Sequence, residues 1–272
     1  MIDLSGKRAF VTGGGRGIGR ATAVLLAQAG ASVAVGYRAR RADAEESVRA
    51  VTRAASGGGG GVGGAGGGGK AGRQHAVAVG GDLGDPTAAQ RAVEEAARVL
   101  GGLDLLIVNH GVWAAADVPV AKLSDGQWDS TTRANLDAVL YVCRAAIPLL
   151  SDGGKIVLVS STAGQRGEAF HADYAATKGA VIAFTKSLAI ELAPRGINVN
   201  CVAPGWVDTE MAREPYDRDG GRGRGEIERA IPLGRIASAE DCAGPIVFLC
   251  SALARHITGE ILNVNGGSVL CG

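Results

Sequence analysis

Seven short runs rich in β-branched and aliphatic residues recur along this chain, and nearly every gap between them holds a stretch with helical spacing. The runs are Ala9–Thr12, Ala31–Gly36, Ala76–Val79, Leu103–Val108, Lys155–Ser160, Ile197–Cys201 and Ile261–Val264. Continuous apolar runs of this length read as strands buried on both faces, the signature of a parallel sheet covered by helices. The helical stretches are Ala21–Ala29, Ala42–Ala55, Thr87–Leu100, Trp128–Leu150, Tyr174–Leu192 and Ala239–Ser251. Strand and helix alternate from end to end, so the expected fold is one doubly wound α/β domain over residues 1–272, a seven-stranded parallel sheet flanked by helices.

Two segments interrupt the rhythm. From Gly57 to Gly69 only Val62 and Ala65 are not glycine. Such a tract brings almost no side chain to bury and loses much backbone entropy on ordering, so a flexible surface insertion is expected there. Trp206–Arg235 is polar, charged and glycine-punctuated, and a structureless loop of that length in a compact domain reads as a substrate lid.

Composition excludes several function classes. A formal net charge of +1 over 272 residues gives no electrostatic case for nucleic acid or an anionic membrane. No apolar run reaches the ~20 residues of a membrane span, and the amino terminus enters a strand with no signal-peptide core. The five cysteines, Cys143, Cys201, Cys242, Cys250 and Cys271, have no metal-ligand spacing. They read as reduced thiols of a cytoplasmic protein with no metal site.

The chemistry concentrates after the strand runs. Between the first strand and its helix lies T-G-G-G-R-G-I-G, Thr12–Gly19, a turn that lets backbone amides at a helix amino terminus approach a pyrophosphate. Ser161 follows the central strand, where open α/β sheets bind ligands. Tyr174 and Lys178 stand four apart at the start of a helix, on one face. A cation beside a phenol favours the phenolate, so this tyrosine is expected to exchange a proton with a substrate oxygen near neutral pH. After the second strand comes Tyr37-Arg38, where a dinucleotide fold selective for NAD places a carboxylate against the ribose 2′-hydroxyl. With no carboxylate there, Arg38 and Arg16 are expected to meet a 2′-phosphate, which points to NADP(H) and to ketone reduction as the working direction.

Taken together these motifs resemble the short-chain dehydrogenase/reductase family over nearly the whole chain. The likeness leans to 3-oxoacyl-(acyl-carrier-protein) reductases and related bacterial ketoreductases. It rests on the glycine loop, Asp82-Leu83, Asn135, Ser161-x12-Tyr174-x3-Lys178, Pro204-Gly205 with Thr209, and I-T-G-E…N-G-G. It implies a Rossmann fold and an oxidoreductase moving hydride between NADP(H) and a small-molecule carbonyl or secondary alcohol, free or carried on an acyl carrier protein.

By the same likeness Tyr174 would be the acid of reduction, Ser161 the carbonyl anchor, Lys178 the ligand of the nicotinamide ribose that lowers the tyrosine pKa, and Asn135 the holder of a relay water. The cofactor would lie along Gly13, Gly15, Arg16, Gly17, Ile18, Gly19, Tyr37, Arg38, Asp82, Leu83, Asn109, Gly111, Pro204, Gly205, Val207 and Thr209. A homotetramer would assemble through the long fourth helix and the helix carrying Tyr174, whose alanines permit close approach.

The sequence departs from the family at His110, which stands where a small residue is usual. We read it as structural, in a turn that has room for it or with its ring pointing outward. Trp113, Phe170, His171 and Trp206 lie beyond strand ends and either line the substrate pocket or pack. Arg195 is the one basic residue near the expected carrier-protein face, and without a basic cluster there a free ketone, a sugar or a polycyclic alcohol remains open. A cofactor-sensing regulator is the rival from outside enzymology, although such proteins lose the tyrosine or lysine retained here.

Overall fold

The computed structural model describes residues 2–57 and 75–270. Its seven strands form one parallel sheet: β1 (Arg8–Thr12), β2 (Ser32–Tyr37), β3 (Ala76–Gly80), β4 (Leu103–Val108), β5 (Leu150–Val159), β6 (Asn198–Pro204) and β7 (Ile261–Val264). Their spatial order is β3-β2-β1-β4-β5-β6-β7. The chain therefore winds outward in both directions from the β1–β4 junction, where Thr12 pairs with Val108. That junction is the topological switch point, beside which open α/β sheets bind ligands.

Strand alternation feeds two cores. Leu106 and Val108 of β4 face a cluster with Phe10 and Leu158. Leu105 and Ile107 face the other side, among Val11, Val33, Val157 and Ile246. The first layer is covered by α3 (Pro86–Leu100), α5 (Ala138–Ala146) and α7 (Ala172–Leu192), the second by α1 (Gly17–Gln28), α2 (Arg41–Gly57) and α9 (Ala239–Leu249). Several helices begin where a side chain satisfies free amides. Asp85 accepts from Ala88 N at 2.7 Å ahead of Pro86, and Ser238 forms a capping box with Asp241 that starts α9.

Two expectations change. The helix expected over Trp128–Leu150 is interrupted. It comprises α4 (Asp125–Thr132), a π-helical segment at Arg133–Asp137, α5 and a 3₁₀ turn at Ile147–Leu149, and Leu150 already belongs to β5. Pro148 cannot donate to the helix ladder and ends it. The segment 206–235 is not a structureless loop: Glu210–Ala212 is a 3₁₀ turn and Arg213–Ala230 forms α8. Tyr216, Ile231, Ile236 and Ala212 pack with Trp206 and Ile227 into a small core of their own. That burial overrides the low helix propensity of glycine, although Gly220 and Gly221 keep positive φ of 68° and 90°. A short helix, α6 (Ala163–Arg166), also stands between β5 and α7. The glycine tract expected to be flexible begins at Gly57, the last residue of α2, and beyond it lies outside the described residues.

Among the described residues no helix is long and apolar enough to cross a membrane, and no group of histidines, cysteines and carboxylates is placed to hold a metal. Cys143, Cys201, Cys242 and Cys250 are free and buried. Burial pushes the Cys143, Cys242 and Cys250 thiols up to about 12 and Cys201 to about 11. A buried thiol stays protonated while its unfolded counterpart ionises from about pH 8.5. The unfolded chain then binds fewer protons, so stability falls as pH rises. The expected outcome is a steep loss of melting temperature between pH 9 and 11, each thiol contributing at most about 1.4 kcal/mol per pH unit. Thermal melts of Cys143→Ala/Cys250→Ala should start lower at pH 7 and decline less steeply over the same range.

Candidate active site

The turn after β1 is built on close backbone approach. A Cβ on Gly19 would collide with Gly13 O and lie 2.6 Å from Asn109 Nδ2, so only glycine lets α1 seat on the turn. Gly13 and Gly17 adopt φ of 63° and 50°, in the left-handed region. Gly14 N donates to Gly36 O at 3.0 Å, holding the turn over the end of β2. The effect is to leave the first amides of α1 pointing out over the sheet, the arrangement that receives anions.

Asn109 and His110 clamp this turn from β4. Asn109 N donates to Thr12 Oγ1 at 3.0 Å, and Asn109 Nδ2 reaches Gly13 O at 3.3 Å. His110 does not point outward: its Nδ1 lies 2.8 Å from Thr12 Oγ1. Burial, with a contribution from the Lys178 charge, drives the imidazole down to about 3, so it is neutral at physiological pH. Of the two placements expected for it, the ring takes the one inside a turn with room for it, where it also lines the cavity described below.

Lys178 is 4% exposed. Its Nζ donates to Val159 O at 2.9 Å, while Ser160 Oγ donates to Lys178 O at 2.7 Å, so β5 and α7 are tied at two points. Gly164 allows this approach, since a Cβ there would meet the Lys178 carbonyl carbon at 2.5 Å. Burial lowers the ammonium to about 8. Nζ stands 5.8 Å from the Tyr174 ring centroid.

The expectation that Tyr174 is acidified is not met in this structure. Burial pushes the phenol up to about 12, against a hydrogen bond with Ser161 that pulls it down, and the Glu168 charge adds to the rise. At neutral pH the phenol is therefore protonated.

Asn135 sits on the π-helical segment, fully buried. It accepts from Val112 N at 2.7 Å and donates to Val112 O at 2.9 Å and Thr177 Oγ1 at 3.4 Å. Its polar groups are thus turned to protein partners. It nevertheless lies near Lys178, because a Cβ on Gly111 would be 3.2 Å from Asn135 Oδ1 and 3.3 Å from Lys178 Nζ.

One cavity of about 810 Å³ gathers most of the expected residues. Its walls include Gly13, Gly15, Arg16, Gly17 and Ile18, then Tyr37, Arg38, Asp82 and Leu83, then Asn109 and Gly111. Ser161, Tyr174 and Lys178 stand midway, with Pro204, Gly205, Val207 and Thr209 opposite. Gly19 and Asn135 do not line it; the first packs the turn and the second supports Val112 from behind. Trp113 and Trp206 do line it, whereas Phe170 and His171 do not. Phe170 is 52% exposed, with a φ of 66°. His171 instead stacks on Trp113 at 4.9 Å between ring centroids. Sequence reasoning missed Arg40, Arg166, Glu168 and Glu226 on the same walls. Arg40 was discoverable from the Arg38-Ala39-Arg40-Arg41 run, but nothing in local spacing marks Glu168.

Comparison with known proteins agrees with this architecture. A family model described as short chain dehydrogenase matches residues 7–59, and one described as Enoyl-(Acyl carrier protein) reductase matches residues 69–268. The chain is 34% identical to a protein of Aquifex aeolicus named 3-oxoacyl-[acyl-carrier-protein] reductase FabG, over 98% of each chain. It is 35% identical to an L-rhamnose 1-dehydrogenase (NAD(P)(+)) of a Sphingomonas species, again over 98% of each. A short chain dehydrogenase of Burkholderia cenocepacia, solved in complex with NADP, superposes with a TM-score of 0.84 at 35% identity, covering 97% of this chain and 98% of that one. The match of both family models, the identities of 34% and 35% over nearly the whole of each chain and the superposition agree on one family. This chain belongs to the short-chain dehydrogenase/reductase family and is an oxidoreductase.

Gly164→Ala tests the seat of Lys178. The added methyl forces α6 off α7, and overpacking of this kind costs about 1–3 kcal/mol. Urea unfolding should show that loss, whereas Gly126→Ala, at a glycine with nothing within 4 Å of an added Cβ, should show no such loss.

Proposed function

We propose that this protein is an NADP(H)-dependent reductase of ketones, interconverting a carbonyl and a secondary alcohol. The observation that carries the reading is the far end of the cavity, where Arg16, Arg38 and Arg40 line the wall beside Tyr37. Arg40 lies 3.7 Å from Asp43, but Arg16 and Arg38 have no acidic partner among the described residues. Two unpaired guanidiniums at the expected place of the ribose 2′-position suit a phosphate, and the carboxylate on the same wall, Asp43, is turned to Arg40. The fit extends along the cavity, since the glycine turn leaves an open cradle at the α1 amino terminus for the diphosphate. Solved relatives whose titles state complexes with NADP or NADPH lend further support.

A bound nicotinamide supplies hydride in reduction and takes it back in oxidation. In the proposed mechanism the chain's own part is proton handling. The substrate oxygen accepts from Ser161 Oγ and from the Tyr174 phenol, which is protonated at neutral pH and therefore loaded for the reductive direction. As charge develops on that oxygen the phenol proton moves to it, and the Lys178 ammonium stabilises the phenolate left behind. Asn135 acts by holding Val112, in the wall beyond Gly111, rather than by touching substrate.

A 3-oxoacyl thioester is one substrate reading, supported by relatives named for that reaction. A sugar or polyol is the second, and the observation favouring it is a carboxylate, Glu168, in the substrate half of the cavity. Arg195 adds no free basic surface to the carrier-protein reading, because it pairs with Asp152 at 2.9 Å. The reading includes a homotetramer, to which Leu140 on α5 and Ile190 on α7, 42% and 79% exposed, offer apolar surface. A reducing cytoplasmic setting suits its buried free thiols.

Arg38→Ala should raise the KM for NADPH by roughly ten- to hundredfold, from the ~1.5–3 kcal/mol of a charged hydrogen bond, with much less effect on NADH. Unchanged preference in steady-state kinetics would overturn the cofactor assignment. Tyr174→Phe should keep cofactor binding by fluorescence titration while lowering kcat by about 10²–10⁴, and retention of most activity would remove Tyr174 from the mechanism.

A further inference from the structure

The substrate half of the cavity contains a charged group that hydride transfer does not require. Glu168 follows α6 and lines the cavity with Trp113 and Trp206. It is half-buried and forms no ion pair among the described residues. Among the described residues the side chain near enough to donate to it is the Trp113 indole, whereas an ionised carboxylate can accept about four hydrogen bonds. Arg166, also on the wall, acts on it only as a more distant charge. Burial raises the Glu168 carboxyl above its ordinary range, the sign of a carboxylate that lost water without gaining enough donors. Its charge in turn reaches the Tyr174 phenol, so it stands close to the reacting centre.

The surroundings hold this carboxylate in place. The Trp113 ring is fixed by stacking on His171 at 4.9 Å and by an edge contact with Trp206 at 6.0 Å. Trp206 in turn packs on Tyr216 at 5.8 Å, and the Tyr216 hydroxyl donates to Val207 O at 2.9 Å. A rigid pair of indoles beside a carboxylate with acceptor capacity to spare has a definite ligand chemistry. Ring faces take the C–H surface of a saturated substrate, and the carboxylate takes its hydroxyl protons. A fatty acyl chain would leave the carboxylate unpaired and desolvated, which is costly.

Resting on the ketone-reductase reading above, we infer that Glu168 is a specificity-determining residue that accepts hydrogen bonds from substrate hydroxyls near the reacting carbon. The preferred substrate class is then a neutral polyhydroxylated ketone or its alcohol, of the sugar and polyol kind, rather than a 3-oxoacyl thioester. A site built to bond a hydroxyl discriminates strongly against the analogue that lacks it.

The test compares wild type, Glu168→Gln and Glu168→Asp on paired substrates, a polyhydroxylated cyclic ketone and its deoxy analogue, with a 3-oxoacyl thioester as third arm. Wild type should prefer the hydroxylated member in kcat/KM. Glu168→Gln should reduce that preference roughly ten- to hundredfold, as expected for one charged hydrogen bond, and Glu168→Asp should retain more of it. A purely structural role would lower kcat/KM for both members alike and leave the ratio unmoved, which would overturn the inference. So would a wild type that prefers the thioester. Binding of the polyol followed by tryptophan fluorescence supplies a readout independent of turnover. Saturable quenching in wild type that weakens in Glu168→Gln supports the recognition site even if no ketone is reduced, a result that would sink the reductase reading alone. Absence of quenching in wild type would overturn the recognition site itself.

Discussion

A buried lysine ammonium with no carboxylate paired to it among the described residues organises the centre of this molecule. Lys178 has three donors, and the structure gives one of them an acceptor, the carbonyl of Val159 at the end of β5. Burying a charge so sparsely compensated is unfavourable, and the lowered pKa of the group records that cost. Several local features hold the backbone around it in place. Ser160 bonds the lysine's own carbonyl from the adjacent strand residue, and Gly164 withholds the side chain that would push α7 away. Asp173, five residues earlier, accepts from Thr131 Oγ1 at 2.8 Å and from Gln127 Nε2 at 3.2 Å, tying the start of α7 to α4. Remove the ammonium and the reason for this close joint between sheet and helix disappears.

The same ammonium resolves an apparent conflict at Tyr174. Its phenol is harder to ionise than free tyrosine because burial outweighs the Ser161 hydrogen bond. A general acid for reduction has to hold its proton at rest and surrender it only when the acceptor becomes basic. High resting pKa and a cation nearby are then complementary. In the proposed mechanism the first keeps the proton loaded, and the second matters only once the phenolate begins to form.

Much of this was legible in the sequence, for identifiable reasons. Strands buried on both faces advertise themselves as unbroken aliphatic runs, so Leu103–Val108 and Ile261–Val264 were read to the residue. The Ser161, Tyr174, Lys178 cluster was legible because its members sit at fixed offsets on one strand end and one helix. What stayed hidden depends on tertiary burial. The helix α8 carries glycines that deny it by propensity, and it exists because Tyr216 and Ile231 close a separate small core over Trp206. The direction of the Tyr174 shift was misread because the sequence shows the neighbouring cation but not the desolvation that outweighs it. His110 could not be oriented without knowing that Thr12 Oγ1 lies within 2.8 Å. Glu168 belongs to no spacing rule at all, since only the folding of α6 brings it to the cavity wall.

A chain of net charge +1 conceals a cavity with opposite ends. Arg16, Arg38 and Arg40 line one end, where the carboxylates Asp43 and Asp82 pair with Arg40 and Arg133, and Glu168 and Glu226 line the other, with Tyr174 and Lys178 between them. Low-dielectric walls focus such fields, so the cavity sorts ligands by charge before any close contact forms. On the proposed reading a phosphate-bearing cofactor is drawn to the arginine end and repelled from the carboxylate end, which gives it one direction along the groove. On the same reading the remaining half is left to a substrate that is neutral and rich in donors. Arg166 softens this division at the mouth without reaching an ion pair with Glu168, so an anionic substrate would meet one exposed guanidinium and two carboxylates. On the proposed reading, the arginines select the cofactor, the carboxylates select the substrate, and the lysine between them makes the chemistry common to both.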